Sequence, residues 1–284
     1  MNPRQSDVLC DVSADGIATL TLNRVEKHNA FDDVMISQLL DKLTLLQSNP
    51  AVRILLLQAN GQHFSAGADL QWMRSMAGKS HSDNHSDAAQ LALLMQTLDT
   101  FPHPTLAIVQ GSAFGGALGL ICCCDIALAA PNARFCLSEV RLGLIPATIG
   151  PYVCRAMGNR QARRYMLSAE TIDAATALHL GLVHQVVGYQ PDALEQAVNQ
   201  FTTQLLANSP AALTQAKALC ARCDAEPIDQ KLIAHTSQVI AELRISAQGQ
   251  EGLNAFFDKR TPDWRAADIQ TKDTQATDKQ DGGR

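Results

Sequence analysis

Gly111-Ser112-Ala113-Phe114-Gly115-Gly116-Ala117-Leu118-Gly119-Leu120 is the segment on which the fold turns. An apolar run, 105–109, precedes it, and Ile121-Cys122-Cys123-Cys124 leads from it into a second run, 125–129. Glycine-rich residues between two strand-like runs, with an apolar helical stretch in the middle, describe a strand–turn–helix–strand unit. Upstream the pattern recurs. A compact strand at 52–59 feeds the small-residue loop Phe64-Ser65-Ala66-Gly67-Ala68-Asp69-Leu70, which opens a short helix at 70–76.

Working outward, 8–12 and 17–22 read as strands around the turn Ala14-Asp15-Gly16. Residues 32–48 carry Val34, Ile36, Leu39, Leu40 and Leu43 at helical spacing and stop before Pro50. The segment 78–86 (GKSHSDNHS) reads as a solvated loop over a cleft in preference to a metal site built on His81 and His85, and 87–100 reads as helix. Beyond Pro151 the pattern is helical (152–157, 160–168, 172–180), with one strand at 183–187, and helices resume at 192–207, 210–223, 228–247 and 250–257. Strands separated by helices and then helices alone give an α/β core over 1–195, a helical extension over 196–262 and a polar tail, 263–284, expected to be disordered.

The 284 residues are 46% hydrophobic and 18% charged, with a net charge of −5. This excludes a disordered chain and leaves no basic footprint for nucleic acid. No apolar run approaches the ~18 residues of a membrane span, and the first residues show no export signal. Cys122–Cys124 sit in apolar sequence and read as small hydrophobes. Cys220 and Cys223 lack a second ligand pair at metal spacing, so all eight cysteines read as buried thiols of a cytoplasmic protein.

The chemistry gathers at the two small-residue turns. Each precedes a helix, where unpaired N–H groups favour developing negative charge and absent side chains allow close approach. Facing each other, they would form an oxyanion hole. The spacing Gly111–Gly119 does not fit G-x-G-x-x-G, and no Walker A loop is present. Glu139, taken by itself, is equally a structural carboxylate paired with an arginine and an acid–base group. Leu137, Leu142 and Leu144 are suited to form an apolar wall that raises its pKa. Asp125 reads as a hydrogen-bond acceptor, and His179 and His184 as core or interface residues.

Asn23-Arg24 with Asn29-Ala30, then 64–70, then 111–125, then Ser138-Glu139-Val140-Arg141-Leu142-Gly143-Leu144-Ile145-Pro146, resemble the enoyl-CoA hydratase/isomerase (crotonase) superfamily in order and spacing. The resemblance covers roughly residues 8–262. Segments 64–73, 113–117 and 136–143 look most like bacterial methylglutaconyl-CoA hydratases of leucine breakdown. The resemblance implies a crotonase-like spiral of ββα units whose C-terminal helices pack trimers, commonly doubled to hexamers. It implies that the Ala68 and Gly116 N–H groups hold a thioester oxygen and that Glu139 is catalytic. Ala66, Asp69 and Leu70 fall around coenzyme A, with Gly115 and Gly119 beside the substrate. Coenzyme A is part of that substrate, and no separate cofactor or metal is implied.

One departure stands out. Family hydratases with two catalytic glutamates carry the first where this chain has Gly119. A lone carboxylate suffices if it takes a proton from water and returns it to carbon. Each amide donor is worth about 2.7–4 kcal/mol, against roughly 10²–10⁴-fold for an acid–base group. Gly119 is expected to leave room for a branched or carboxylated acyl group. Arg141 reads as exposed or structural in preference to a clamp for a second substrate carboxylate. The resemblance implies hydration of 3-methylglutaconyl-CoA to 3-hydroxy-3-methylglutaryl-CoA. Its rivals are general enoyl-CoA hydration, Δ3,Δ2-enoyl-CoA isomerisation, and a silent acyl-CoA- or RNA-binding relative.

Overall fold

The alternation in the sequence sorts strands onto two sheets. The computed structural model describes residues 6–265. In chain order the elements are β1 (Val8–Val12), β2 (Ile17–Leu22), α1 (Asp33–Gln47), β3 (Ile54–Ala59), α2 (Leu70–Met76), α3 (His81–Asp99), β4 (Thr105–Val109), β5 (Ser112–Phe114), α4 (Gly116–Cys123), β6 (Ile126–Ala129), β7 (Arg134–Cys136), α5 (Gly150–Met157), α6 (Asn159–Ser168), β8 (Ile172–Asp173), α7 (Ala174–His179), β9 (Gln185–Val186), α8 (Ala193–Leu206), α9 (Pro210–Ala225), α10 (Gln230–Ile245) and α11 (Ala247–Phe257). The larger sheet runs β1-β2-β3-β4-β6-β9, and β5-β7-β8 form the smaller. From β4 the chain lays one strand on the large sheet and the next on the small one and inserts a helix. It repeats this with β6, β7 and α5, and then adds β8 to the small sheet and β9 to the large one. That is the expected ββα spiral.

Every residue of β4 is buried, as a central parallel strand covered on both faces requires. α4 is buried along nearly its whole length, Cys122 and Cys123 included. Burial pushes the Cys122 thiol up to about 12, so it stays protonated and inert. In contrast, Cys10, Cys220 and Cys223 are exposed, which corrects the buried reading for those three.

Other corrections are local. The polar segment 78–86 is mostly helical. Ser80 caps α3 in a reciprocal box with Asp83, and Asn84 Nδ2 donates to the carbonyls of Met76, Lys79 and Ser80. Such capping chemistry reads as loop in a sequence because its residues are the ones loops favour. The helix expected at 172–180 begins instead as β8, and the strand expected at 183–187 shrinks to β9. His179 and His184 are exposed in the single chain. Residues 263–265 are helical, and Trp264 donates to the Ala207 carbonyl at 3.2 Å, so these three are ordered, contrary to the expectation. Residues 266–284 lie outside the described part.

One buried arginine fixes the entry to both early helices. Arg24, 5% exposed, pairs with Asp32 (2.8 Å) and Asp69 (3.1 Å). Asp32 caps α1 through the Met35 N–H, and Asp69 caps α2 through the N–H groups of Gln71 and Trp72. Burial pushes the Asp69 carboxyl up, but those two amides and the Arg24 charge together hold it below the ordinary range. Replacing Arg24 by Met strands two buried carboxylates. We expect urea unfolding to show a loss of about 3–5 kcal/mol, as when one partner of a buried ion pair is removed. The loss should shrink as pH falls and Asp69, which Arg24 helps hold below the ordinary range, protonates.

Candidate active site

Two backbone pairings bring the small-residue turns together. Ser65 and Ala113 form a parallel bridge in which Ser65 N–H donates to Ser112 O (3.0 Å) and Phe114 N–H to Ser65 O (3.0 Å). Three residues beyond each bridge partner stand Ala68 and Gly116. A Cβ placed on Gly115 would stand 4.0 Å from the Gly67 Cα, so the turns touch. Gly115 itself has φ +55° and ψ −125°, a conformation that favours glycine.

Most nearby amides are engaged. Asp69 N–H donates to Phe31 O (2.7 Å), Gly67 N–H to Ser65 Oγ (3.2 Å) and Gly115 N–H to Cys136 O (2.9 Å). The Ala68 and Gly116 N–H groups have no acceptor among the described residues. Ala68 lies between the two residues that bond Phe31, so its N–H points to the opposite edge. Gly116 is the first residue of α4, where no intrahelical acceptor exists. Both residues are half-buried, and both lie on the wall of one cavity of about 420 Å³, where a ligand can reach their amides.

Glu139 faces this cavity from a short 3-10 turn, Glu139–Leu142. Its Oε1 lies 3.3 Å from where a Gly115 Cβ would be, against the turn that ends in the Gly116 amide. Its Oε2 is buried without a partner, and burial raises the carboxyl above the usual range. Leu142 and Leu144 share the wall as expected, whereas Leu137 lies in the core.

Ala66, Leu70 and Gly115 also line the cavity. Asp69 does not, being committed to Arg24 and its cap. Gly119 is corrected outright. It is absent from the lining, and a Cβ there would meet Ile149 Cγ2 at 2.3 Å and Met95 Sδ at 2.8 Å. The room expected beside Gly119 is filled. Arg141 also lies off the cavity, donating to the Ala169 carbonyl, which Cys136 Sγ approaches at 3.3 Å. Arg141 thus braces the Glu139 turn against the end of α6. Asp125 accepts from Thr105 N–H and Oγ1 and from Lys217, tying α9 to the sheet. Trp72 and Ile149 are cavity residues that the sequence reading missed. The helical spacing of Trp72 from Asp69 could have exposed the first, but nothing in the sequence marks the second.

A mixed α/β spiral with a helical C-terminal region, opening one apolar cavity at the ends of its strands, is a crotonase-like fold. The model described as Enoyl-CoA hydratase/isomerase matches residues 13–267. The 2,3-dehydroadipyl-CoA hydratase of Escherichia coli is 32% identical over 250 residues, 88% of this chain and 95% of that protein. A crystal structure of an enoyl-CoA hydratase from Shewanella pealeana is similar with a TM-score of 0.87 at 53% identity, covering 91% and 96% of the two chains. AtuE of Pseudomonas aeruginosa also reaches 0.87, at 34% identity and 91% and 99% coverage. The chain belongs to the enoyl-CoA hydratase/isomerase family. Membership makes it an enzyme of enoyl-CoA hydratase type, working on acyl-CoA thioesters.

Raised by burial, the Glu139 carboxyl binds its proton more tightly folded than unfolded. Its contribution to stability is therefore full below the ordinary carboxylate range and lost as pH rises through the folded value. Carbon-13 NMR of labelled glutamate should show one carboxyl titrating above 4.5, absent in Glu139→Gln.

Proposed function

We propose that this chain adds water across the 2,3 double bond of 3-methylglutaconyl-CoA, giving 3-hydroxy-3-methylglutaryl-CoA in leucine breakdown. The observation that carries the hydration is the pair of unengaged amides beside one buried carboxylate on an apolar wall. The thioester oxygen sits between the Ala68 and Gly116 N–H groups. Glu139 takes a proton from water as the water oxygen bonds to C3, and the C2–C3 π electrons move onto the carbonyl oxygen. The two amides hold the resulting enolate. Glu139 then returns its proton to C2, which regenerates the carboxylate and leaves the elements of water added across the bond. Ala66 and Leu70 flank the coenzyme A portion.

The acyl assignment rests on sequence resemblance, supported by the Escherichia coli relative, named for 2,3-dehydroadipyl-CoA, a thioester that also ends in a free carboxylate. No arginine, lysine or histidine lines the cavity among the described residues, so that carboxylate extends toward the opening or a neighbouring subunit. Isomerisation is the second reading. Its observation is that Glu139 and Asp87 are the only acids on the described wall, and Asp87 is paired with Lys79 at 2.6 Å. Moving one proton between two carbons needs a single carboxylate.

The C-terminal helices support assembly. α9 buries no residue and α10 only Leu232, whereas Ile228, Ile245, Phe256 and Phe257 are 72–88% exposed. We read these as the faces of a homotrimer or its hexamer, because helices that bury almost nothing in the single chain and expose large apolar side chains mark contact surfaces. No helix among the described residues is long and apolar enough to cross a membrane. Eight unpaired cysteines fit a reducing cytoplasm.

Mixed with 3-methylglutaconyl-CoA, the enzyme should bleach the conjugated-thioester absorbance, and Glu139→Gln should slow this roughly 10²–10⁴-fold. Brisk turnover of crotonyl-CoA without 3-methylglutaconyl-CoA overturns the substrate. Deuterium entering a 3-enoyl-CoA with no hydroxyacyl product favours the isomerase, and unchanged turnover in Glu139→Gln removes Glu139 from the chemistry. Sedimentation velocity should give three or six subunits.

A further inference from the structure

Gly119 and Ile149 fit each other as hole and knob. Ile149 is 1% exposed, and its Cγ2 and Cβ stand 2.3 and 2.8 Å from where a Gly119 Cβ would be. Met95 Sδ closes the same gap at 2.8 Å. Ile149 nevertheless forms part of the cavity wall, whereas Gly119 does not. The glycine therefore serves to admit the isoleucine, and the isoleucine is what the ligand meets.

Helix geometry says which part of the ligand. Gly119 lies three residues beyond Gly116 on α4, on the same face and about 4.5 Å further along the axis. With the thioester oxygen at the Gly116 amide and the acyl chain running along α4, the first carbons past the carbonyl lie opposite that next turn. Ile149 covers the turn there, so the acyl carbons nearest the thioester face a branched hydrocarbon. Met95 cannot retreat, being fully buried and in contact with Cys123 Sγ at 3.9 Å.

We propose that Ile149, seated in the gap at Gly119, is the specificity-determining residue for the branch at the third acyl carbon, accepting hydrogen or methyl and rejecting larger or polar groups. This rests on the enoyl-CoA reading above. Isoleucine is stiff at its first side-chain torsion, so the size of the pocket is set by the Gly119–Ile149 contact and not by rotamer adjustment. A Cβ added at residue 119 drives Ile149 toward the ligand. Truncating residue 149 opens space between α4 and α5.

Calorimetric binding of saturated acyl-CoA analogues tests this without chemistry. The probes are butanoyl-CoA, 3-methylbutanoyl-CoA and 3-ethylpentanoyl-CoA. Gly119→Ala should weaken 3-methylbutanoyl-CoA relative to butanoyl-CoA by about tenfold, the discrimination one methylene carries in an apolar pocket. Ile149→Ala should strengthen 3-ethylpentanoyl-CoA relative to butanoyl-CoA by a similar factor. The double variant Gly119→Ala/Ile149→Ala should regain the methyl-branched ligand. If Gly119→Ala fails to fold, the Ile149→Ala and Ile149→Val ratios decide alone. Butanoyl-CoA bound normally with every ratio unmoved overturns this inference and leaves the enoyl-CoA reading standing. A parent enzyme that binds none of the three overturns both.

Discussion

A single buried guanidinium carries the geometry of the site. Arg24 reaches Asp32 and Asp69 at once, and each carboxylate uses its remaining oxygen to cap a helix. The Ala68 turn hangs between Phe31, one residue before the first cap, and Asp69, the second cap itself. Isolated, either carboxylate would be a costly buried charge. Held together by one arginine, they lock the loop that aims an amide into the cavity.

The second amide is aimed by different means. Gly116 is the half-buried first residue of an otherwise buried helix, so its N–H has no intrahelical acceptor and is presented to the cavity. The Ser65–Ala113 bridge sets the register that brings both donors to one level. The fold leaves two main-chain donors on the cavity wall without a protein acceptor among the described residues. It places the one orphan carboxylate oxygen of Glu139 on the same cavity. Polar atoms without partners in an apolar enclosure are where a ligand gains most by supplying them.

Much of this is legible in the sequence. The runs 17–22 and 105–109 and the helices at 70–76 and 32–48 follow from periodicity and local chemistry. Glycine where a backbone must be approached marks both turns. The failures share a cause as well. Polar residues at 78–86 satisfy their own backbone, and in a sequence that composition is indistinguishable from loop. Gly119 suggests empty space because a sequence shows the side chain that is missing and not the one that arrives from the start of α5. The choice between an exposed and a structural Arg141 is likewise made by a distant group, the Ala169 carbonyl that its guanidinium meets.

Local propensity and hydrophobic period therefore determined the elements, their order and the two donor turns, because those depend on residues within a few positions of one another. Only tertiary structure decided that Ile149 fills the gap at Gly119, that Asp69 belongs to Arg24, and that Glu139 faces the cavity with an oxygen that has no partner, whereas Asp87 on the same wall is paired with Lys79. Those are contacts between distant segments, and their distances are set by how helices and sheets pack.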